Sequence, residues 1–201
     1  MKELSYSFDA EYIIKKKKSL KRQLLADVNR NFVEKRIAIL GGETTENIKL
    51  TLELFLLNYG IKPYFYESEY NQYYEDGMFP NHELEEFKPD IIYICTCVRN
   101  IIDFPVLSDQ KEVVEQKKQA VVDKFYGLWD SVAERYHCPI IQNNFEYPFF
   151  RLMGNKDASD YHGRVNFVTM LNCAFYEYAQ KHDNFYICDV NYISASYGLD
   201  K

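Results

Sequence analysis

The residues best suited to chemistry in this sequence stand just past short apolar runs. Gly41-Gly42-Glu43-Thr44-Thr45 follows the run 36–40 and precedes a helical pattern. Glycines there admit a close backbone approach, and free N–H groups at a helix start suit a phosphate or carboxylate. The string lacks the lysine of a P-loop and the third glycine of a dinucleotide fingerprint. A tight strand-to-helix turn, with Glu43 satisfying the helix start, is therefore an equal reading. Asn100, Asn143 and Asn144 lie past two later runs, where their amides could donate to a developing oxyanion or cap loops. Arg99 could clamp an anion or pair with a carboxylate. Among nucleophile candidates only Cys97 stands at a strand end, and none of His82, His137, His162 and His182 is placed beside it. It reads as a buried structural thiol. His137 and His182 sit near helix ends, where they meet the dipole favourably. No metal-ligand spacing of histidines and carboxylates recurs, so no metal is expected here.

An alternation of strands and helices must position these groups. Residues up to about 31 read as a polar start and an amphipathic helix, with Leu20, Leu24, Leu25 and Val28 on one side and Lys15-Lys16-Lys17-Lys18 on a solvated face. A strand over 36–40 leads into a helix carrying Ile48, Leu52, Phe55 and Leu56, capped by Thr44 or Thr45 and closed by Gly60 at C′. The next strand covers 62–66, and 67–89 reads as one long loop of the kind that usually carries function. Strands follow at 90–95, 139–142 and 185–188, with helices at 110–136 and 159–181 and loops at 98–109 and 143–157. The pattern predicts an α/β fold with a three-layer, doubly wound parallel sheet of about five strands and an N-terminal helix. Ligands of such sheets bind beyond the carboxyl ends of the strands. That rim collects Gly42, Glu43, Thr44, Thr45, Glu67, Tyr70, Asn71, Arg99, Asn100, Asn143, Asn144 and Asp189.

Composition narrows the partners. A net charge of −6 over 201 residues argues against nucleic acid, because phosphate backbones need a basic surface. No stretch approaches the roughly 18 apolar residues of a membrane span. The five cysteines are odd in number, form no CxxC and follow no signal peptide; reduced thiols in the cytoplasm fit that usage.

Several strings carry a resemblance. They are Arg36-Ile-Ala-Ile-Leu-Gly-Gly-Glu-Thr-Thr45, Leu54-Phe-Leu-Leu57, Gly60, Tyr66-Glu-Ser-Glu-Tyr-Asn-Gln-Tyr73 and Phe87-Lys-Pro-Asp-Ile91. Cys138-Pro-Ile-Ile-Gln-Asn-Asn144, Asp189-Val-Asn-Tyr192 and Tyr197-Gly-Leu-Asp200 extend the pattern. From Arg36 onward the chain resembles the N-terminal region of FkbH-like proteins of the HAD superfamily, subfamily IIIC. The resemblance implies an SGNH-hydrolase-like, flavodoxin-like domain over 36–201, with 1–35 as a helical extension. It also implies a HAD phosphatase-like domain downstream, where an Asp-x-Asp-x-Thr motif binds Mg. These 201 residues contain no such motif, so no cofactor is expected in this domain.

Members of that family load a glyceryl unit from a phosphorylated three-carbon acid onto an acyl carrier protein, or serve capsule and polysaccharide biosynthesis. The implied partners are a small phosphorylated or acyl substrate and an acyl carrier protein. Against the SGNH pattern, Glu43 occupies the place of the nucleophilic serine. Asn71 lies where a second-block oxyanion donor would stand, and Asn100 near the third-block asparagine. Tyr192 replaces the histidine of an Asp-x-x-His pair that would begin at Asp189. The departures favour a substrate- or carrier-binding cleft without catalysis of its own. The alternative is an atypical hydrolase or acyltransferase acting on an ester or thioester, with Glu43 or Asp189 as base.

Overall fold

The computed structural model describes residues 1–28 and 30–198; Leu199 and Asp200, the end of the last resembling string, lie outside them. Among the described residues the strands are β1 (Val33–Gly41), β2 (Ile61–Glu67), β3 (Ile91–Cys95), β4 (Ile140–Asn143) and β5 (Phe185–Cys188). They form one parallel sheet in the order β2-β1-β3-β4-β5. The chain steps outward from β1 to β2 and returns to β3 on the other side of β1. The strand order therefore reverses between β1 and β3, which opens a crevice at their carboxyl ends. β1 begins three residues before the expected strand, and its first half is exposed while Ile37 to Gly41 are buried.

One sheet face carries Ala38, Leu40, Ile92, Ile94 and Ile140, packed against aromatics of α5 (Lys111–Tyr136) and α6 (Arg164–Ala179). Ile37, Ile39 and Cys95 form the core of the other face, with Leu56 of α2 (Glu46–Asn58) packed against them. Helices on both faces explain why β3 is apolar nearly throughout. The N-terminal helix α1 (Ala10–Ala26) is capped by Asp9, whose carboxylate accepts the Tyr12 N–H at 3.0 Å. It buries Ile13, Leu20 and Leu24 against Leu54 and Leu57 of α2, each worth about 1.5–3 kcal/mol on burial. Gly60 adopts φ +80° just past α2, the left-handed position expected of it.

The stretch 67–89 is not a single loop. It contains two short helices, α3 (Tyr73–Met78) and α4 (His82–Phe87). Asn81 caps α4 by accepting the Leu84 N–H at 3.1 Å, and Tyr73 and Leu84 anchor the pair in the main core. Gly77 lies so close to α5 that a Cβ would stand 2.3 Å from Leu128 Cδ1. Glycine is there for close approach, and it masks the helical pattern.

α6 starts five residues later than the sequence pattern suggests, because 157–163 is held as a stapled turn. Nε2 of His162 bonds the Asp109 carbonyl at 3.0 Å, and Nδ1 bonds Asp160 at 2.9 Å. Both ring nitrogens face acceptors, so the protonated ring fits best; the Asp109 carbonyl, then Asp160, raise its pKa. A raised folded pKa makes this clamp fully present below the ordinary imidazole value of about 6.5 and lost as pH rises through the folded value. NMR titration of the His162 ring should give a midpoint above the ordinary one. A midpoint at or below it would show that the clamp holds a neutral ring.

Candidate functional site

The crevice at the β1/β3 switch point is built on one asparagine. Asn100 ends the 3₁₀ turn Val98–Asn100. Its Nδ2 donates to Gly42 O at 3.0 Å and to Asn71 Oδ1 at 3.1 Å, and its Oδ1 accepts the Cys97 N–H at 2.8 Å. Gly42 is obligatory here, because a Cβ would stand 2.5 Å from Asn100 Oδ1. Its own N–H is committed to Cys95 O at 2.8 Å. Asn71 sits at φ 61°, a left-handed conformation that asparagine tolerates better than most residues. The latch thus ties three chain segments together. Asn100 spends both amide hydrogens, so it orients rather than donates. The Asn71 amide N–H groups and the Glu43 backbone N–H have no partner among the described residues, and they are the donors an anionic oxygen would find.

The floor of the crevice is acidic and thiol-lined. Cys95 Sγ lies 3.8 Å from Glu43 Oε1. Burial pushes the Cys95 thiol up to about 12 and the Cys97 thiol up to about 11, with the Glu43 charge adding to both. Neither is a thiolate at neutral pH, so neither is an activated nucleophile. Glu146 completes the floor, its carboxylate accepting the Val98 N–H at 3.2 Å. Burial raises the Glu146 pKa, Glu43 raises it further, and Arg99 acts in opposition. Arg99 is exposed and forms no ion pair among the described residues, so its guanidinium is available to a ligand.

The remaining rim residues divide by how their polar atoms are spent. Thr45 holds the N-cap position of α2, but its hydroxyl donates to Glu67 Oε1 at 2.5 Å instead of capping the helix. Glu67 also pairs with Lys49. Partial burial pushes the Glu67 carboxyl up, but the Lys49 and Thr45 hydrogen bonds prevail and hold it below its usual range. Thr44 and Tyr70 are exposed beside the crevice. Asn143 is buried and bonds both the N–H and the carbonyl of Thr96, locking β4 to the end of β3. Asn144 is buried as well; it donates to Asp189 Oδ1 at 2.7 Å and accepts the Asn191 N–H at 2.9 Å. Asp189 Oδ1 caps α7 (Val190–Tyr197) through the Tyr192 N–H at 3.0 Å. Asn143, Asn144 and Asp189 therefore form connections within the scaffold, whereas Gly42, Glu43, Asn71, Arg99 and Asn100 gather around the crevice. Sequence reasoning missed Glu146, and a carboxylate three residues past β4 was the only signal for it. Among the described residues no group of three or more His, Cys, Asp or Glu side chains could hold a metal ion, and no helix is long and apolar enough to cross a membrane.

The sheet order and the strand-end crevice define a three-layer α/β domain of the Rossmann/flavodoxin-like kind. The family model described as FkbH, N-terminal domain, matches residues 36–201, and the chain belongs to that family. None of the curated proteins compared with the chain matches it. A crystal structure of the N-terminal part of the protein BF1531 from Bacteroides fragilis, containing a phosphatase domain and complexed with Mg, is similar at a TM-score of 0.74 and 22% identity. The likeness covers 90% of this chain and 47% of that one. The chain thus spans about half the length of that solved structure, and the likeness establishes a shared fold.

Proposed function

We propose that this chain is the substrate- or carrier-binding domain of a FkbH-like protein. It presents a small phosphorylated or acyl ligand, free or on an acyl carrier protein, to a Mg-dependent HAD phosphatase-like domain that follows it. The observation carrying this reading is the Asn71–Asn100–Gly42 latch at the switch point. It leaves anion-facing donors free while the nucleophile's position holds Glu43. The raised thiol pKa values and the helix-capping contacts of Asp189 support a binding role over nucleophilic or base chemistry at those residues. Asn71→Ala and Asn100→Ala should each weaken ligand binding by about tenfold, the worth of one to two hydrogen bonds, with the fold retained. Gly42→Ala should act likewise by displacing Asn100. Calorimetry with glyceryl phosphates and acyl-loaded carrier protein tests this, and unchanged affinity in all three variants would sink the assignment.

The raised pKa of Glu146 beside Glu43 favours one second reading, an acyl-transfer enzyme using this carboxylate pair for acid–base work. Turnover of activated esters or thioesters by the chain, abolished in Glu43→Ala, would establish it over the binding role.

A further inference from the structure

A second pocket shares Asn100 with the latch. It has a volume of about 140 Å³, and its lining includes Asn100, Asp103, Lys117, Lys124 and Phe125. At about 30 Å³ of liquid volume per water, that is room for a compact anionic group. Lys124 is half-buried in its wall. Its Nζ donates to Tyr73 Oη at 3.1 Å and lies 5.3 Å and 4.8 Å from the centroids of the Tyr73 and Tyr74 rings. It has no carboxylate partner among the described residues. Lys117 differs, because Asp103 at 2.9 Å and Asp109 at 3.0 Å neutralise it. The Tyr73 hydroxyl is buried and has no acceptor of its own among the described residues. A cation taken out of water without an anion is costly, and ring faces offset only part of that cost. Burial pushes the Lys124 pKa below the ordinary lysine range, with Glu75 opposing.

We infer that the Lys124 pocket is an oxyanion subsite of the crevice, taking the phosphate or carboxylate of a ligand whose other end lies at Asn71 and Glu43. A bound anion supplies the counter-charge that Lys124 lacks, while Tyr73, behind the pocket wall, accepts from the Lys124 ammonium and holds it in place. The inference rests on the crevice reading through Asn100, which both share.

The test is calorimetry on the 201-residue chain at low salt, with glycerol 3-phosphate, glycerate and glycerol as probes. Wild type should bind at least one of the two anions and not glycerol. Lys124→Met keeps the stem and removes the charge, and should weaken anion binding by about tenfold or more. Tyr73→Phe should weaken it several-fold, and Lys124→Arg should restore part of it. Lys124-dependent binding of the phosphate alone would assign the subsite to phosphoryl groups; binding of glycerate alone would assign it to carboxylates. Absence of anion binding in the millimolar range, equal binding of glycerol, or full affinity in Lys124→Met with an unchanged thermal midpoint would each overturn the inference. Anion binding lost in Lys124→Met but untouched in Asn71→Ala would retain the subsite and remove the latch reading. The reverse pattern would remove the subsite alone.

Discussion

Replacing Trp129 with alanine should lower the stability of this domain by about 3–5 kcal/mol, read as a shift in the urea midpoint at unchanged m-value. Trp129 is fully buried at the centre of an aromatic cluster, with ring centroids of Phe175, Tyr178 and Phe185 at 4.7, 4.7 and 4.6 Å. Truncation opens a cavity that those rigid rings cannot collapse into. It also removes the indole N–H that donates to Gln142 Oε1 at 3.0 Å. Gln142 in turn donates to Thr96 Oγ1 at 2.9 Å and to Asn143 O at 2.8 Å, so the loss reaches the backbone that leads into Cys97 and Asn100. Trp129→Phe separates packing from hydrogen bonding. It keeps most of the ring and strands the Gln142 carbonyl, which should cost about 1–3 kcal/mol. A phenylalanine variant as stable as wild type would show that the buried Gln142 network contributes nothing net.

The same cluster explains how much of the fold the sequence discloses. The strands are legible because a parallel strand covered on both faces is almost continuously apolar, as Ile91-Ile-Tyr-Ile-Cys95 is. α5 is legible from its length and from Phe125, Leu128, Trp129 and Val132 on one face. α3 and α4 are hidden because six residues span less than two turns. α7 has eight residues and buries none of them, so its apolar positions do not mark a core-facing helix.

The crevice is legible in part for a different reason. The strand-end rule needs only the order of elements, and it puts Gly42, Glu43, Asn71 and Asn100 on one rim together with Asn143, Asn144 and Asp189. Which amides remain free depends on loop geometry and strand register, which composition does not encode. Asn143 and Asn144 look equivalent to Asn100 in sequence, each standing at or just past a strand. Their burial differs because Asn143 is the last residue of β4 and Asn144 follows it directly, whereas Asn100 stands five residues past the end of β3, on the 3₁₀ turn. Glu146 follows Phe145, whose ring is buried in the core, and that anchor fixes the loop carrying the carboxylate to the crevice floor.

Asp157→Ala should have the other large effect, about 3–5 kcal/mol of lost stability, since three charge-assisted hydrogen bonds are removed together. The Asp157 side chain is fully buried, and it accepts the N–H groups of Leu152 at 2.8 Å, Met153 at 3.1 Å and Val165 at 2.7 Å. Gly163 is pressed onto the Asp157 backbone so tightly that a Cβ would stand 1.9 Å from its carbonyl oxygen. The turn has no slack in which a substitute acceptor could settle, and water reaches it only by opening the loop. Asp157→Asn keeps an acceptor but turns an N–H₂ toward donors, so it should recover less than half of the loss. Hydrogen exchange at the Val165 amide reports the break directly, and protection unchanged in Asp157→Ala would refute the role. The stretch this carboxylate closes runs from Leu152 to Val165 in the first turn of α6, and Asn172 of α6 clamps the backbone of Phe145 at 2.9 and 2.8 Å. The crevice floor is therefore braced from two sides. If Asn172 is the sufficient brace, the Asp157 variants should lose stability while the affinity of the folded fraction for ligand stays constant. A parallel loss of affinity would mean that Glu146 is positioned by the whole stapled loop.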